Sequence, residues 1–240
     1  MTNQKALVLT SGGIDSTTCL AWAVRDLGAE NVLALSMFYG QKHQRELQAA
    51  ADVAKWYQVK HLQLDLSNIF QFSDNALLQG SAKAIPHTDY AEQLATGDGP
   101  VSTYVPFRNG VFISVAASVA IAHGCNRLYY GAHADDAAGF AYPDCSEAFN
   151  HAMAEAIKQG TGGQLKLIAP FVQDNKAGVI AHGLHFGVPY HLTWSCYEGG
   201  AEPCGECGTC RDRQEAFRIN GVEDPLAYPQ KPTNNGDETR

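Results

Sequence analysis

The chain has 240 residues, 45% of them hydrophobic, with 17 basic against 25 acidic side chains and a formal charge of -8. That size and apolar content suit one large α/β domain with an appendage better than two independent domains, and the acidic balance excludes broad electrostatic attraction to nucleic acid, leaving room only for a local basic patch. The most apolar later stretch, residues 111–123, is too short and too rich in Ala and Ser to span a bilayer.

The opening Met1-Thr2-Asn3-Gln4-Lys5 lacks the charged start, apolar core and cleavage site of a signal peptide. The expectation is a soluble, cytoplasmic protein with no membrane partner. Its seven cysteines are then free thiols or metal ligands rather than disulfides.

An apolar run over residues 6–9 enters Ser11-Gly12-Gly13-Ile14-Asp15-Ser16-Thr17, and a helix is predicted over residues 17–27 from Leu20, Ala21, Val24 and Leu27, with Gly28 as its stop. A strand that runs into a Gly-Gly turn and a helix start leaves several backbone N–H groups aimed at one spot, and that spot attracts an anion. Hydroxyls add bonds to phosphate, glycines allow close approach of its oxygens, and Asp15 suits a cation or water beside it.

The candidate nucleotide-binding residues are therefore Thr10, Ser11, Gly12, Gly13, Ile14, Asp15, Ser16, Thr17 and Thr18, with Ser11, Asp15 and Ser16 as catalytic candidates among them. The loop is shorter than G-x-x-x-x-G-K-[ST] and has no lysine. It resembles the S-G-G-x-D-S loop of the PP-loop ATP pyrophosphatases, which grip the pyrophosphate while a nucleophile attacks the α-phosphate.

Residues 32–38 read as a strand, and Tyr39-Gly40-Gln41-Lys42-His43 falls where that strand ends, which is where doubly wound sheets collect ligands. A second helix is predicted over residues 46–57 and a strand over 61–66. Helix-length connections between strands imply parallel pairing through right-handed crossovers.

From 67 to 99 periodicity is lost, and the long loop is either a lid, binding loop or partner contact, or a plain connector. Order returns over residues 101–107, then Arg108-Asn109 as a loop, then a helix through 111–122. A strand follows at 128–130, with Gly131-Ala132-His133-Ala134-Asp135-Asp136 beyond its end. Next come a helix over 146–158 with Ser146 as cap and Glu147 in its first turn, a strand at 165–169 and a closing helix over 175–184. No internal repeat is present.

The fold expected is a doubly wound, mainly parallel sheet of about five strands with helices on both faces. The division expected is an ATP-binding domain over residues 1–190, a cysteine lobe over 191–220 and a tail over 221–240.

Cys196, Cys204, Cys207 and Cys210 stand as C-x7-C-x2-C-x2-C in a Gly-rich segment. Two-residue gaps let thiolates converge on one tetrahedral ion, and four sulfurs leave it no open position, so the best candidate is structural Zn²⁺. An iron-sulfur cluster uses the same ligands. Cys19 and Cys125 read as core thiols.

Four polar sets occupy expected loops or strand ends: residues 39–43, Arg108-Asn109, 133–136 and Tyr142-Pro143-Asp144. Tyr39, Gln41, Arg108, Asn109, Asp135, Asp136 and Asp144 are the candidate substrate-binding residues. Arg pairs with carboxylate or phosphate at two points, and Asp accepts N–H bonds from a purine-like base. Lys176 is the fourth catalytic candidate, stabilising phosphate charge, although a lysine in a helix's first turn is commonly just solvated. Asp135 and Asp136 are candidates for Mg²⁺. No H-E-x-x-H pair and no G-x-S-x-G elbow occurs.

S-G-G-I-D-S-T-T-C-L from Ser11, Y-G-Q-K-H from Tyr39, V-P-F-R-N from Val105, Y-P-D-C from Tyr142 and C-G-E-C-G-T-C from Cys204 fall in one order. Together they resemble the 7-cyano-7-deazaguanine synthase family of the queuosine pathway over most of the chain, from Lys5 to Phe217. Phe107 stands where the family often has a small residue, and residues 135–141 look slightly expanded.

The resemblance implies an ATP- and Mg²⁺-dependent ligase that turns 7-carboxy-7-deazaguanine and ammonia into the nitrile through an acyl-adenylate and an amide. It also implies a homodimer. Two alternatives stand beside it: a PP-loop tRNA-thiolating enzyme, and a nucleotide-binding sensor without turnover.

Overall fold

In the computed structural model, which describes residues 4–88, 90–96 and 100–229, the apolar runs of the sequence form one five-stranded sheet. The strands are β1 (Ala6–Leu9), β2 (Val32–Phe38), β3 (Lys60–Asp65), β4 (Arg127–Tyr129) and β5 (Lys166–Ile168). They stand in the order β3-β2-β1-β4-β5, and every neighbouring pair is parallel. The central strand is apolar at each position because both its faces are covered: Ala6, Leu7 and Val8 are fully buried. The edge strand β3 alternates instead.

The helices are α1 (Ile14–Leu27), α2 (Arg45–Trp56), α3 (Ser67–Phe70), α4 (Tyr90–Thr96), α5 (Arg108–Ala122), α6 (Ala134–Ala137), α7 (Glu147–Gly160), α8 (Lys176–Phe186) and α9 (Gly208–Ile219). On one face α1, α2, α8 and the end of α9 bury Leu20, Val53, Ile180 and Phe217 over Ala6, Val8, Val32 and Ala34. On the other, α5 and α7 bury Ile113, Ala116 and Ile157 over Leu7, Leu9, Leu35 and Leu128. Strand order reverses between β2 and β4 around β1, which opens a crevice beyond the carboxyl end of the central strand.

Two expectations need correction. Arg108 and Asn109 are not loop residues: α5 starts at Arg108, because Phe107 turns the chain with a left-handed φ of 56° and places both side chains on the first helical turn. The segment from 67 onward is not structureless, since it holds α3 and α4 and buries Phe70, Leu77 and Leu78. Asn75 pins it by donating to the Ser102 and Tyr104 carbonyls at 2.9 and 2.7 Å.

Helix α1 also begins three residues early, so Asp15 is in its first turn. The Ser146 cap is present, accepting the Phe149 N–H at 3.1 Å. Residues 97–99 of the long loop and 230–240 of the expected tail lie outside the described residues. Among the described residues no helix is long and apolar enough to cross a membrane.

Candidate active site

The turn from β1 to α1 lies hard against α2. Gly12 has φ +86°, and a Cβ there would sit 2.4 Å from the Glu46 carbonyl oxygen and 2.6 Å from the Ala50 nitrogen, so no larger residue fits. The Trp194 N–H donates to the Gly12 carbonyl at 2.9 Å.

Inside the turn, the Ser16 hydroxyl accepts the Ser11 N–H at 3.1 Å and lies 3.0 Å from the Ser11 hydroxyl, which in turn accepts the Gly13 N–H at 3.2 Å. Among the described residues no side chain caps α1 at Gly13. Its first-turn amides therefore remain for an anion.

Helix α8 is started by the Asn175 cap, which accepts the Gly178 N–H at 2.8 Å, and this start sets Lys176 facing the turn. Lys176 Nζ lies 2.5 Å from Asp15 Oδ2 and 3.3 Å from His133 Nε2. Asp136 Oδ2 is 3.3 Å from the same His133 nitrogen. Burial works against both charges of the Lys176–Asp15 pair, yet each partner outweighs it: Asp15, aided by Asp136, raises the lysine, while Lys176 and His133 hold Asp15 below the usual carboxylate value.

Asp212, from α9, joins this loop cluster. Burial lifts its pKa to about 6; Lys176 opposes the shift, and Asp136 adds to it. Among the described residues Asp15 Oδ1 is buried without a hydrogen-bond partner. A spare carboxylate oxygen, with Asp136 on the same His133 nitrogen and Asp212 lining the same cavity, suits a hard divalent cation.

A second cluster faces the same crevice. Arg108 donates from Nη1 to the Tyr39 hydroxyl at 3.0 Å, with its guanidinium carbon 4.9 Å from the Tyr39 ring centre. Asp144 is 3% exposed and accepts both the Asn109 N–H at 2.9 Å and its Nδ2 at 3.2 Å, capping the start of α5. Burial holds the Asp144 carboxyl above its ordinary value. Gln41 accepts the Tyr39 N–H at 2.8 Å, which fixes the bend after β2. Glu46, in the first turn of α2, has its pKa lifted to about 7 by burial; Arg108 lowers it, and Cys196 raises it further.

Both clusters open into one cavity of about 230 Å³ whose apolar walls include Leu9, Leu35, Met37, Phe112 and Trp194. Of the residues singled out from sequence, Thr10, Ser11, Gly13, Ile14, Asp15, Ser16, Tyr39, Gln41, Arg108, Asn109, Asp136 and Lys176 line it. The others stand behind it. Gly12 packs on α2. Thr17 is buried, and Thr18 donates to the Ile14 carbonyl at 2.9 Å and lies 2.8 Å from the Tyr190 hydroxyl. Asp135 accepts the Lys176 N–H at 2.8 Å, and Asp144 braces Asn109.

Glu46, Asp212, Trp194 and Tyr197 also line the cavity without having been picked out from sequence. Glu46 had a signal, three residues past the Tyr39-to-His43 set at the opening of a helix. Asp212 had none, since only the fold returns α9 to the loop.

Behind Trp194 the four cysteine sulfurs lie within 4.8 Å of one another. Backbone N–H groups of Cys204, Glu206 and Cys207 donate to the sulfurs of Cys196, Cys204 and Cys204 at 3.3, 3.4 and 3.3 Å. Such bonds suit thiolates, and the set can bind a metal. Ala49 and Trp194 pack against it. Arg213, 1% exposed, ties the lobe down through Asp224 at 2.7 and 2.9 Å and Thr193 Oγ1 at 2.7 Å. Cys19, inside α1, and Cys125, just beyond α5, are buried free thiols, in line with their reading as core thiols.

The model of the family described as "Queuosine biosynthesis protein QueC" matches residues 5–221. The 7-cyano-7-deazaguanine synthase of Archaeoglobus fulgidus is 43% identical over 92% of this chain and 89% of its own length. That of Caldicellulosiruptor bescii is 41% identical over 93% and 97%. Among solved structures, NMN synthetase from Francisella tularensis aligns over 92% of this chain and 79% of its own, with a TM-score of 0.52 at 14% identity, a likeness of fold alone.

Proposed function

The chain belongs to the queuosine biosynthesis protein QueC family, and on that premise we propose that it is an ATP-dependent ligase making 7-cyano-7-deazaguanine from 7-carboxy-7-deazaguanine and ammonia. The observation that carries this reading is the uncapped start of α1 with Lys176 drawn to Asp15 beside it, a site for pyrophosphate as it departs.

A carboxylate is a poor electrophile. Attack by its oxygen on the ATP α-phosphorus expels pyrophosphate and gives an acyl-adenylate. Ammonia then displaces AMP to form the amide and releases a proton. The amide oxygen takes a second adenylyl group, again expelling pyrophosphate, and loss of AMP with the remaining N–H protons leaves the nitrile. The chain's part is to position the reactants and to offset charge on the phosphates through Ser11, Ser16, the loop amides and Lys176; no covalent protein nucleophile is required.

Asp15, Asp136 and Asp212 would hold Mg²⁺, which supplies charge neutralisation for the triphosphate. Tyr39, Gln41, Arg108 and Asn109 are proposed to face the deazaguanine. Asp135 and Asp144 act behind the cavity, by fixing Lys176 and Asn109. Cys196, Cys204, Cys207 and Cys210 are proposed to hold structural Zn²⁺, supported by the all-sulfur donor set and its N–H bonds.

The proposed division remains an ATP-binding domain over 1–190, the metal lobe over 191–220 and a tail over 221–240, with a cytoplasmic homodimer as the working form. Mass spectrometry of the product from purified protein with carboxydeazaguanine, ammonium and Mg-ATP tests the reaction. Nitrile with two AMP and two pyrophosphate per molecule is expected, and ATP left uncut between its α- and β-phosphorus atoms would overturn it.

A further inference from the structure

The carboxylates that reach or border the cavity are not equally available. Asp144 is engaged by Asn109, Asp135 by the Lys176 amide, and Asp15 by the Lys176 ammonium. Asp136 is beside His133, and the field on Asp212 is set by Lys176, Asp136 and His133. Glu46 differs. It lines the cavity from the first turn of α2, and among the described residues its carboxylate has no hydrogen bond and no ion pair, although Arg108 is its dominant charged neighbour. The guanidinium is instead directed to the Tyr39 hydroxyl. An acid and a base therefore line one cavity within each other's electrostatic reach without closing on each other.

A 7-deazaguanine ring carries, in order along one edge, an exocyclic amino group, the N1–H and the O6 carbonyl. Two adjacent donors match a carboxylate, and the acceptor next to them matches a guanidinium. Adenine offers an amino donor beside a bare N1 lone pair, which a carboxylate repels. We infer that Glu46 is a specificity-determining residue, accepting the amino and N1–H donors of the deazaguanine edge while Arg108 meets the neighbouring carbonyl. Burial already disfavours an unbonded Glu46 anion, so two N–H donors arriving together supply what the free site lacks. The site then selects a 2-amino-4-oxopyrimidine ring over an adenine-like one. The inference rests on the ligase reading above.

The test uses the full chain with its metal and two probes: 7-carboxy-7-deazaguanine and the same compound without the 2-amino group. Calorimetric Kd values and steady-state KM values are measured for wild type, Glu46→Gln and Glu46→Ala, with melting curves as a check on folding. Wild type is expected to prefer the amino compound by about 10–100-fold, since a buried acceptor is left unpaired by the other. Both variants should lose most of that preference, weaken binding of the amino compound by a similar factor, and keep the KM for ATP within about twofold.

Glu46→Gln with undiminished preference for the amino group overturns the assignment. So does a variant whose defect falls on ATP instead. If wild type neither binds nor converts carboxydeazaguanine, the ligase reading itself fails and takes this inference with it. Unchanged binding in Glu46→Gln beside normal wild-type turnover removes only the inference.

Discussion

The loop cluster and the arginine cluster share a cavity but are built by different routes. Ser11, Gly13 and Ser16 are neighbours along one turn of chain, bonded mostly to one another, so local backbone geometry sets their places, and only Asp15 among them reaches out, to Lys176. Tyr39, Glu46, Arg108, Asn109 and Asp144 come from four segments, and Asn109 keeps its position through a buried carboxylate 35 residues further on. On the proposed reading the first arrangement offers amides and charge to phosphates whatever they carry, and the second distinguishes one ring from another. If that division is real, damage to the first should fall on kcat and damage to the second on KM.

The largest effect is expected at Lys176. Lys176→Met removes the cation proposed to meet the departing pyrophosphate and should lower kcat by about 10²–10³-fold with little change in the KM for the deazaguanine substrate. A steady-state series in both substrates reads this directly; a variant with a raised KM and intact kcat would break the division. Gly12→Ala comes next and acts on stability. The added methyl meets the α2 backbone at 2.4 Å with φ at +86°, so a loss on the order of 3 kcal/mol is expected in urea unfolding. A neutral outcome would show that the loop stands free of α2.

At the arginine cluster the expected losses are smaller. Asp144→Ala strips the α5 start of its acceptor and leaves the Asn109 N–H unpaired, costing about 1–2 kcal/mol and raising the KM for the deazaguanine several-fold. Asp144→Asn, which keeps an acceptor oxygen, should recover most of both. Equal losses from the two substitutions would mean that Asp144 acts by its charge and not as a cap.

This contrast also decides what could be read from sequence. A phosphate loop and a cysteine knuckle are contiguous, so residue type and spacing carry their geometry, and buried parallel strands declare themselves as apolar runs. Even there the reading was coarse: Thr17 and Thr18 belong to the motif by position, but the helix turns them into the core. Asp212 has no such local marker and Glu46 only its place just past the Tyr39-to-His43 set, because the value of both comes from crossovers that bring α2 and α9 back to the end of β1. Between residues 67 and 99, α3 and α4 span 4 and 7 residues, too short for a helical period to show. The start of α5 is hidden in the sequence for a different reason. A bulky Phe107 holds a left-handed φ that local propensity would assign to glycine or asparagine.

The smallest expected effect tests whether the loop cluster is incomplete on its own. Asp212 titrates at about 6 in the folded chain against an ordinary 3.8, because burial and Asp136 outweigh the help from Lys176 and His133. A carboxyl raised in this way adds stability below its unfolded value and loses it as pH climbs through the folded one. Between pH 4 and about 6 the nucleotide-free protein should therefore lose stability on account of this group. Asp15, shifted in the opposite direction, exerts its effect at lower pH, whereas Glu46, lifted to about 7, adds a slope of the same sign that continues above the window. Asp212→Asn should make the profile shallower there, by about 2–4 °C in melting temperature, measured from pH 4 to 7 in the absence of nucleotide. Mg-ATP should shrink the wild-type slope in the same interval, since a cation among Asp15, Asp136 and Asp212 replaces the proton that Asp212 would otherwise retain. A slope unchanged by both the substitution and the nucleotide would place Asp212 outside the cluster and return the charge balance of that end to Lys176 and Asp15 alone.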